Sequence, residues 1–598
     1  MQNLWVFSFE YAGIIKVGGL GEVPANQTKF LANQYNITLF IPSHGIHTNM
    51  QIVEKLNLTK LNLELCTTLN TQKIGIGDRT ESVHIEFLEG RINGIRVVIL
   101  VGKNEFSSYI LNDPIVYAPN TLSGKFVLFS MGIKYYIQQV KQMNPEELPH
   151  IIHCHDHHGI PAMMCCRQEL RKATTDVATV LTIHLLSWPR YDLEFLKSCG
   201  LEEGDFDVFV GGEHKRYTLT EFYMFCKGSD ALEPPLEKLG VIFADVVTSV
   251  SEDYAMSNVV GYLGGGWVYP KIDFIWNGCD WDYEEMRRNV LSTYKRELQS
   301  LDKKNWSSRK NLRKFLLTRA FSYLDESEPI YSSKNVEGYL QNHLTFFPYM
   351  KNKKGIFDGK LASFFEDGPL VIATGRISRQ KGIDILLDAI PLVLKKHPNA
   401  KFIFSVLPTE FSIPDIESFL SRIKLFKNNL RMIIGKVVSL YSLMHIAADI
   451  YCVPSRWEPF GITALEGMVS KTILVASQTG GLQEIVLDVS KWGDKGTGSL
   501  VHVENVSMLA TAISDFISVI KIDEVNQGSL NKEKDRINLL NSIENPEIRN
   551  LAQQYADLGT RLRENAHARV EEHFRWEFVT QKLPKIYHQA LKNRGITI

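Results

Sequence analysis

The stretch PLVIATGRISRQKGIDILLDAIPLVL, residues 369–394, reads as a strand, a glycine-rich basic turn and a helix. Its apolar run PLVIATG (369–375) is short and ends on glycine, and helical spacing takes over from about residue 382. A strand feeding a helix through a short turn is the repeating unit of a parallel sheet. The same alternation continues through AKFIFSVL (400–407), LRMIIG (430–435), ADIYCVPS (448–455) and KTILVAS (471–477). Toward the N-terminus it appears first as NLWVFSF and a helix near 21–34, then NITLFIPS, IRVVILVG, HIIHC and VATVLTIH.

The predicted fold class is therefore α/β, with two Rossmann-like doubly wound domains. The pattern assigns 1–285 to the first domain and 358–575 to the second. Residues 286–357 read as a basic linker with an irregular insertion over 319–357, and 576–598 as a closing helix. In that linker, residues 287–314 hold ten Lys/Arg against Glu297 and Asp302. A solvated helix face or a contact with an anionic or polysaccharide partner both fit such a run.

Composition sets outer limits. With 598 residues the chain exceeds what one hydrophobic core organises. Lys+Arg 66 against Asp+Glu 67 leaves a formal charge of -1, which predicts no general nucleic-acid or membrane-surface binder. The longest apolar runs fall short of the ~18 residues a membrane span requires. MQNLWVFSFE reads as a first strand rather than a leader, so a cytoplasmic location is predicted. The eight cysteines show no CxxC pair and read as buried free thiols.

Four glycine turns carry the chemistry. Lys16-Val17-Gly18-Gly19-Leu20-Gly21-Glu22 follows the first strand and opens the first helix, where bare backbone amides and a helix N-terminus suit a phosphate. Tight turns of this kind need glycine for steric reasons too. In Gly375-Arg376-Ile377-Ser378-Arg379-Gln380-Lys381-Gly382, Arg376 and Lys381 lie five apart across a strand-to-helix turn, a spacing suited to clamping a diphosphate. Pro454-Ser455-Arg456-Trp457-Glu458-Pro459-Phe460-Gly461 is followed by Glu466, two carboxylates eight apart. Thr479-Gly480-Gly481-Leu482 adds another turn of backbone donors before a helix.

These motifs, with HCHD (153–156), GVIFADVVTSVSEDYA (240–255) and WNGCD (276–280), together resemble the glycogen and starch synthases of glycosyltransferase family 5, in an archaeal-type form. The resemblance runs in order from about residue 4 to 590. It implies a retaining GT-B enzyme whose two domains face each other across a cleft, with the final helix returning to the first domain. Glucose would pass from ADP-glucose, or UDP-glucose, to the non-reducing end of an α-1,4-glucan. Residue by residue, it places the diphosphate on Lys16, Arg376 and Lys381, and the sugar near Asp156, His184, Asn277 and Glu458. Glu466 would meet the ribose, with Gly18 and Gly19 and the amides of Gly480, Gly481 and Leu482 facing phosphate or sugar. Three cations and helix N-termini stabilise the leaving group, so neither cofactor nor metal is expected.

Some positions depart from the family pattern. His157 stands where bacterial relatives carry tryptophan, and HCHDHHG invites a zinc reading that strand alternation disfavours. The short strings Asp205-Phe206-Asp207 and Asp280-Trp281-Asp282 resemble a metal-binding DxD, a reading the cationic clamp makes unnecessary. The aromatic that stacks on adenine should fall near Lys436, yet the nearest here is Tyr441, which leaves the donor base open. Taken one at a time, His184 reads equally as a core histidine and Asp156 as a helix cap. The alternatives are a small-acceptor transferase of the trehalose- or sucrose-forming kind, and a silent glucan-binding protein.

Overall fold

The computed structural model describes residues 1–172, 176–324, 330, 334–342, 350–351, 360–409, 411–526 and 532–596. Two compact units carry the chain: Met1–Asn277 with Trp576–Ile598, and Gly278–Arg575.

The first unit is built on β1 (Gln2–Phe7), β2 (Tyr35–Pro42), β3 (Thr59–Asn70), β4 (Thr80–Ile92), β5 (Ile95–Gly102), β6 (Ile151–His155) and β7 (Ala178–Ile183). A small hairpin, β8 (Phe206–Val210) with β9 (Glu213–Tyr217), precedes β10 (Val246–Ser249) and β11 (Ile272–Phe274). Nine of these form one sheet in the order β11-β10-β7-β6-β1-β2-β5-β4-β3. Seven run parallel, and β3 and β4 extend the edge antiparallel. The turn between β4 and β5 is Asn93-Gly94, both at positive φ (49° and 83°), the two-residue hairpin connection that matches strand twist.

Both faces of the central strands are covered, which is why they read as unbroken apolar runs. Trp5, Phe7, Phe40, Val98 and Leu100 pack with helix Pro119–Met143 on one side. Leu4, Val6, Leu39, Val97 and Ile99 pack with Leu583, Ile586, Tyr587 and Ala590 on the other. The predicted single closing helix is two: Trp576–Thr580 and Leu583–Arg594. Pro584 sits in the first turn of the second, where its missing amide costs nothing. Lys582 anchors the break on Asp273 Oδ1 at 2.5 Å.

In the second unit a short hairpin, β12 (Met350–Lys351) with β13 (Lys360–Leu361), precedes a six-stranded parallel sheet. Its strands are β14 (Leu370–Arg376), β15 (Lys401–Leu407), β16 (Leu430–Ile434), β17 (Ile450–Val453), β18 (Ile473–Ser477) and β19 (Gly498–Val501). The order β16-β15-β14-β17-β18-β19 reverses direction at β14, so crossovers leave it to opposite sides. Such a switch point opens a crevice at the carboxyl ends of the strands.

The basic stretch 287–314 serves this unit's interior in part. Arg309 donates to the carbonyls of Ala448 and Ser470, and buried Arg313 binds Asp367 at 3.0 Å and both Asp449 and Glu524 at 2.8 Å. Asp449 also accepts from Arg563 at 2.8 Å. Within the expected insertion, Lys334–Asn342 is helical, while 325–329, 331–333, 343–349 and 352–357 lie outside the described residues. Seven cysteines are buried, and Cys66 is exposed on the edge strand β3. Among the described residues no helix is long and apolar enough to cross a membrane.

Candidate active site

In the second unit three loops leave the carboxyl ends of the adjacent strands β14, β17 and β18 and interlock. Gly382, at φ +62°, approaches so closely that a Cβ would lie 2.0 Å from the Pro454 carbonyl oxygen. At Gly480, φ +48°, a Cβ would lie 2.0 Å from the Glu458 carbonyl oxygen, and at Gly481 one would meet Phe460 Cα at 2.5 Å. These glycines are required first by loop-against-loop packing. Gly480→Ala is therefore expected to cost about 2 kcal/mol, combining a left-handed backbone with a clash. A lowered Tm would register it, and an unchanged Tm would mean the loops have slack.

The interlock assembles charge. Lys381 Nζ reaches Glu458 Oε2 at 2.5 Å, and the buried Ser455 hydroxyl donates to the same oxygen at 3.0 Å. Glu458 is buried, and among the described residues both bonds to its carboxylate fall on Oε2 and none on Oε1. The Lys381 stem passes 3.7 Å from the Cβ position of Gly375. Arg376, half-buried at the end of β14, makes no side-chain ion pair or hydrogen bond among the described residues. Glu466 lies in helix Ile462–Val469, and its Oε2 is 3.4 Å from the Tyr441 hydroxyl. Tyr441 also lines a hollow of about 290 Å³ with Trp281, Asp282, Met286 and Asn289. Asp282 itself caps the helix Tyr283–Thr293 through the Glu285 amide at 2.9 Å.

Two of the expected backbone donors are already occupied. Gly481 N donates to the Glu458 carbonyl at 3.1 Å and Leu482 N to that of Thr479 at 3.2 Å. Gly480's amide is bound to no described residue. The turn closes on the neighbouring loop, and closing it consumes the amides.

The first unit shows a similar preoccupation. Glu10, buried just beyond β1, accepts the amides of Val17 at 2.6 Å and Gly18 at 2.8 Å on Oε2, and the Tyr117 hydroxyl on Oε1. The glycine turn is thus folded around a carboxylate, with Gly19 opening the short helical turn Gly19–Gly21. Lys16, close to half-exposed, pairs with Glu22. Glu10 was not singled out by motif reading; an acid at a strand end six residues before Lys16 is its only signal.

Asp156 and His184 come together across β6 and β7. Asp156 has φ +57°, uncommon for a residue with a side chain, and its Oδ1 accepts the His184 amide at 2.6 Å. It caps no helix; the sheet's neighbouring strand end claims its side chain. Burial pushes its carboxyl up to about 8, against the pull of the His184 and Leu185 amides. The His184 ring is bound through Nε2 to His155 Nδ1 at 3.0 Å. Burial lowers His153, His158 and His184 to about 3, so these imidazoles are neutral. His153 bonds Tyr587 and Thr182, His157 lies 3.6 Å from Glu237, and His158 stacks with Phe9 and Tyr117. The HCHDHHG run is dispersed among separate partners. Asn277 is buried, with its Oδ1 unpartnered among the described residues.

Comparison with known proteins agrees with both halves. Residues 3–266 match the starch synthase catalytic domain and 360–522 the group 1 glycosyl transferases. The glycogen synthase of Flavobacterium johnsoniae is 26% identical over 506 residues, covering 83% of this chain and 87% of that protein. That of Thermodesulfovibrio yellowstonii is 26% identical over 544 residues, covering 87% and 91%. Among solved structures, the catalytic domain of starch synthase IV from Arabidopsis thaliana, bound to ADP and acarbose, superposes with a TM-score of 0.60 at 17% identity, covering 99% of each chain. Two largely parallel sheets, the Arg376 and Lys381 turn beside Glu458, and these likenesses along most of the sequence lead to one conclusion: the chain is a glycosyltransferase of the GT-B fold, similar in both halves to the glycogen and starch synthases.

Proposed function

We propose that the enzyme transfers glucose from a nucleoside-diphosphate glucose to the non-reducing end of an α-1,4-glucan with retention of configuration. One observation carries this reading: Lys381 and Glu458 are paired at the switch point of a parallel sheet, beside the end of β14, where the Arg376 side chain has no partner among the described residues. Departure of the nucleoside diphosphate builds negative charge on its terminal oxygen, and preorganised cations there are worth several kcal/mol of barrier. Arg376 and Lys381 are the proposed bearers of that charge, with Lys16 a further candidate on the first unit. Glu458 Oε1, with no described partner, is proposed to meet the glucose, and Glu466 the ribose. In the first unit the buried Asp156 and His184 and the orphaned Asn277 Oδ1 are the proposed sugar contacts. Of the Gly480–Leu482 turn only the Gly480 amide remains as a donor. The relatives' names support a glucan product, and the ADP in the starch synthase IV complex supports an adenine donor.

The test is an incubation of the protein with glycogen and either ADP-glucose or UDP-glucose. Nucleotide release and chain lengthening should occur with one donor at least tenfold better than with the other, and added glucosyl units should yield to an α-1,4-specific amylase. Release only with a small acceptor, glucose 6-phosphate or fructose, would overturn the glucan reading. No release with any donor would point to a silent glucan-binding protein.

A further inference from the structure

The His184 ring is held by a device separate from the one that holds its backbone. Parallel strands β6 and β7 pair with His155 opposite Thr182, so His153 and His155 share a face of the sheet with Thr182 and, two residues on, His184. On that face the three imidazoles form a column. His153 and His155 lie 4.3 Å apart between centroids, and His155 and His184 5.2 Å apart with planes within 24°. The column's base is fixed at both nitrogens of His153, by the Tyr587 hydroxyl of helix Leu583–Arg594 at 2.9 Å and the Thr182 hydroxyl at 2.7 Å. Its top is the 3.0 Å contact from His155 Nδ1 to His184 Nε2. His184 Nδ1 makes no bond among the described residues and is not sealed from solvent.

We infer that His155 is a positioning residue for the transfer reaction. Its Nδ1 shares one proton with His184 Nε2, holding that ring so that Nδ1 alone faces the sugar. Two neutral imidazoles can share only one N–H, so the contact sets rotamer and tautomer together. Asp156, bound to the His184 amide, fixes where the residue starts, and His155 fixes where its ring ends. The inference rests on the proposal that His184 meets the sugar.

Substituted side chains separate the roles by atom position. Asn places an amide where His155 Nδ1 lies, and Gln where Nε2 lies. His155→Leu and His155→Gln are expected to lower kcat about 10- to 100-fold with donor KM within threefold, the cost of a misplaced contact. His155→Asn should stay within a few-fold of the parent. If His184→Ala is inactive while His155→Leu turns over normally, this inference alone fails. If His184→Ala is itself fully active, the underlying site reading fails. Asn and Gln variants losing activity equally, in step with Tm, would reduce His155 to a packing residue and overturn the inference. Should these variants not fold, the unmodified protein labelled with ¹⁵N-histidine provides a direct readout. A coupling across the hydrogen bond between His155 Nδ1 and His184 Nε2 is expected, and its absence would overturn the proposal.

Discussion

Lys381→Ala is expected to lose roughly 10²–10³ in kcat, the penalty for deleting one preorganised group that stabilises leaving-group charge. The same substitution is expected to lower Tm, for a reason unrelated to the reaction. Glu458 is buried, and among the described residues its Oε2 is bound only by Lys381 and the Ser455 hydroxyl. Removing the ammonium leaves a largely buried carboxylate with half its partners, a larger cost than the pair's own net worth. The two effects separate in the double variant Lys381→Met with Glu458→Gln. Without a stranded charge its Tm should recover toward the parent, while turnover stays low. Arg376→Ala supplies the complementary case. Arg376 has no partner among the described residues, so its loss should cost a similar factor in kcat with Tm unmoved. A folded Lys381→Ala enzyme turning over within tenfold of the parent would falsify the clamp. Lys381→Arg is no safe substitute, because a planar fork does not fill the place of a compact ammonium.

What could be read from the residues follows from how far apart the interacting partners lie in the chain. The core strands were legible because both their faces are covered, which makes each one a continuous apolar run. The basic glycine turn at 375–382 was legible because its strand, turn and helix are contiguous. The β4–β5 hairpin also had its sign in Asn93-Gly94, and IRVVILVG was read as a strand, although the long edge strands β3 and β4 were not anticipated. The roles of Gly481 and Leu482 were not legible. Whether an amide is free or spent depends on the Glu458 carbonyl, which belongs to another loop. The same applies to Gly18, whose amide is taken by Glu10 from the end of the preceding strand. In the run 287–314, Arg313 looks like its neighbours in sequence. It is distinguished by distant carboxylates, Asp367, Asp449 and Glu524, which lie 54, 136 and 211 residues on and which it helps to neutralise inside the fold. A charge run therefore gives local density and says nothing about which members turn inward.

The buried histidines predict a steep loss of stability in acid. His44, His153, His155, His157, His158 and His184 are all held below the ordinary imidazole range by burial. In the unfolded chain they titrate near 6.5, while His153, His158 and His184 fold with values of about 3. Between those values the unfolded chain binds protons that the folded one refuses, so stability present above pH 6.5 is lost as pH falls. At pH 5.5 each excluded ring costs roughly 1 kcal/mol, and the six together several. Asp156 opposes them. Its folded value of about 8 exceeds the unfolded one, so acid favours folding through it, by roughly 2 kcal/mol between pH 7.5 and 5.5. Glu237, raised by burial, acts in the same direction. Asp415, Asp515 and Asp523, also raised by burial, add to that side, and His397 and His445, lowered to about 4, add to the other. The rings still outnumber the raised carboxyls, and a net loss of a few kcal/mol is a large share of the 5–15 kcal/mol that typically holds a fold. Thermal unfolding of the full chain should show Tm falling by several degrees between pH 7.5 and 5.5. A flat profile over that interval would mean that the imidazole column takes up protons while folded, which its burial and its paired nitrogens oppose.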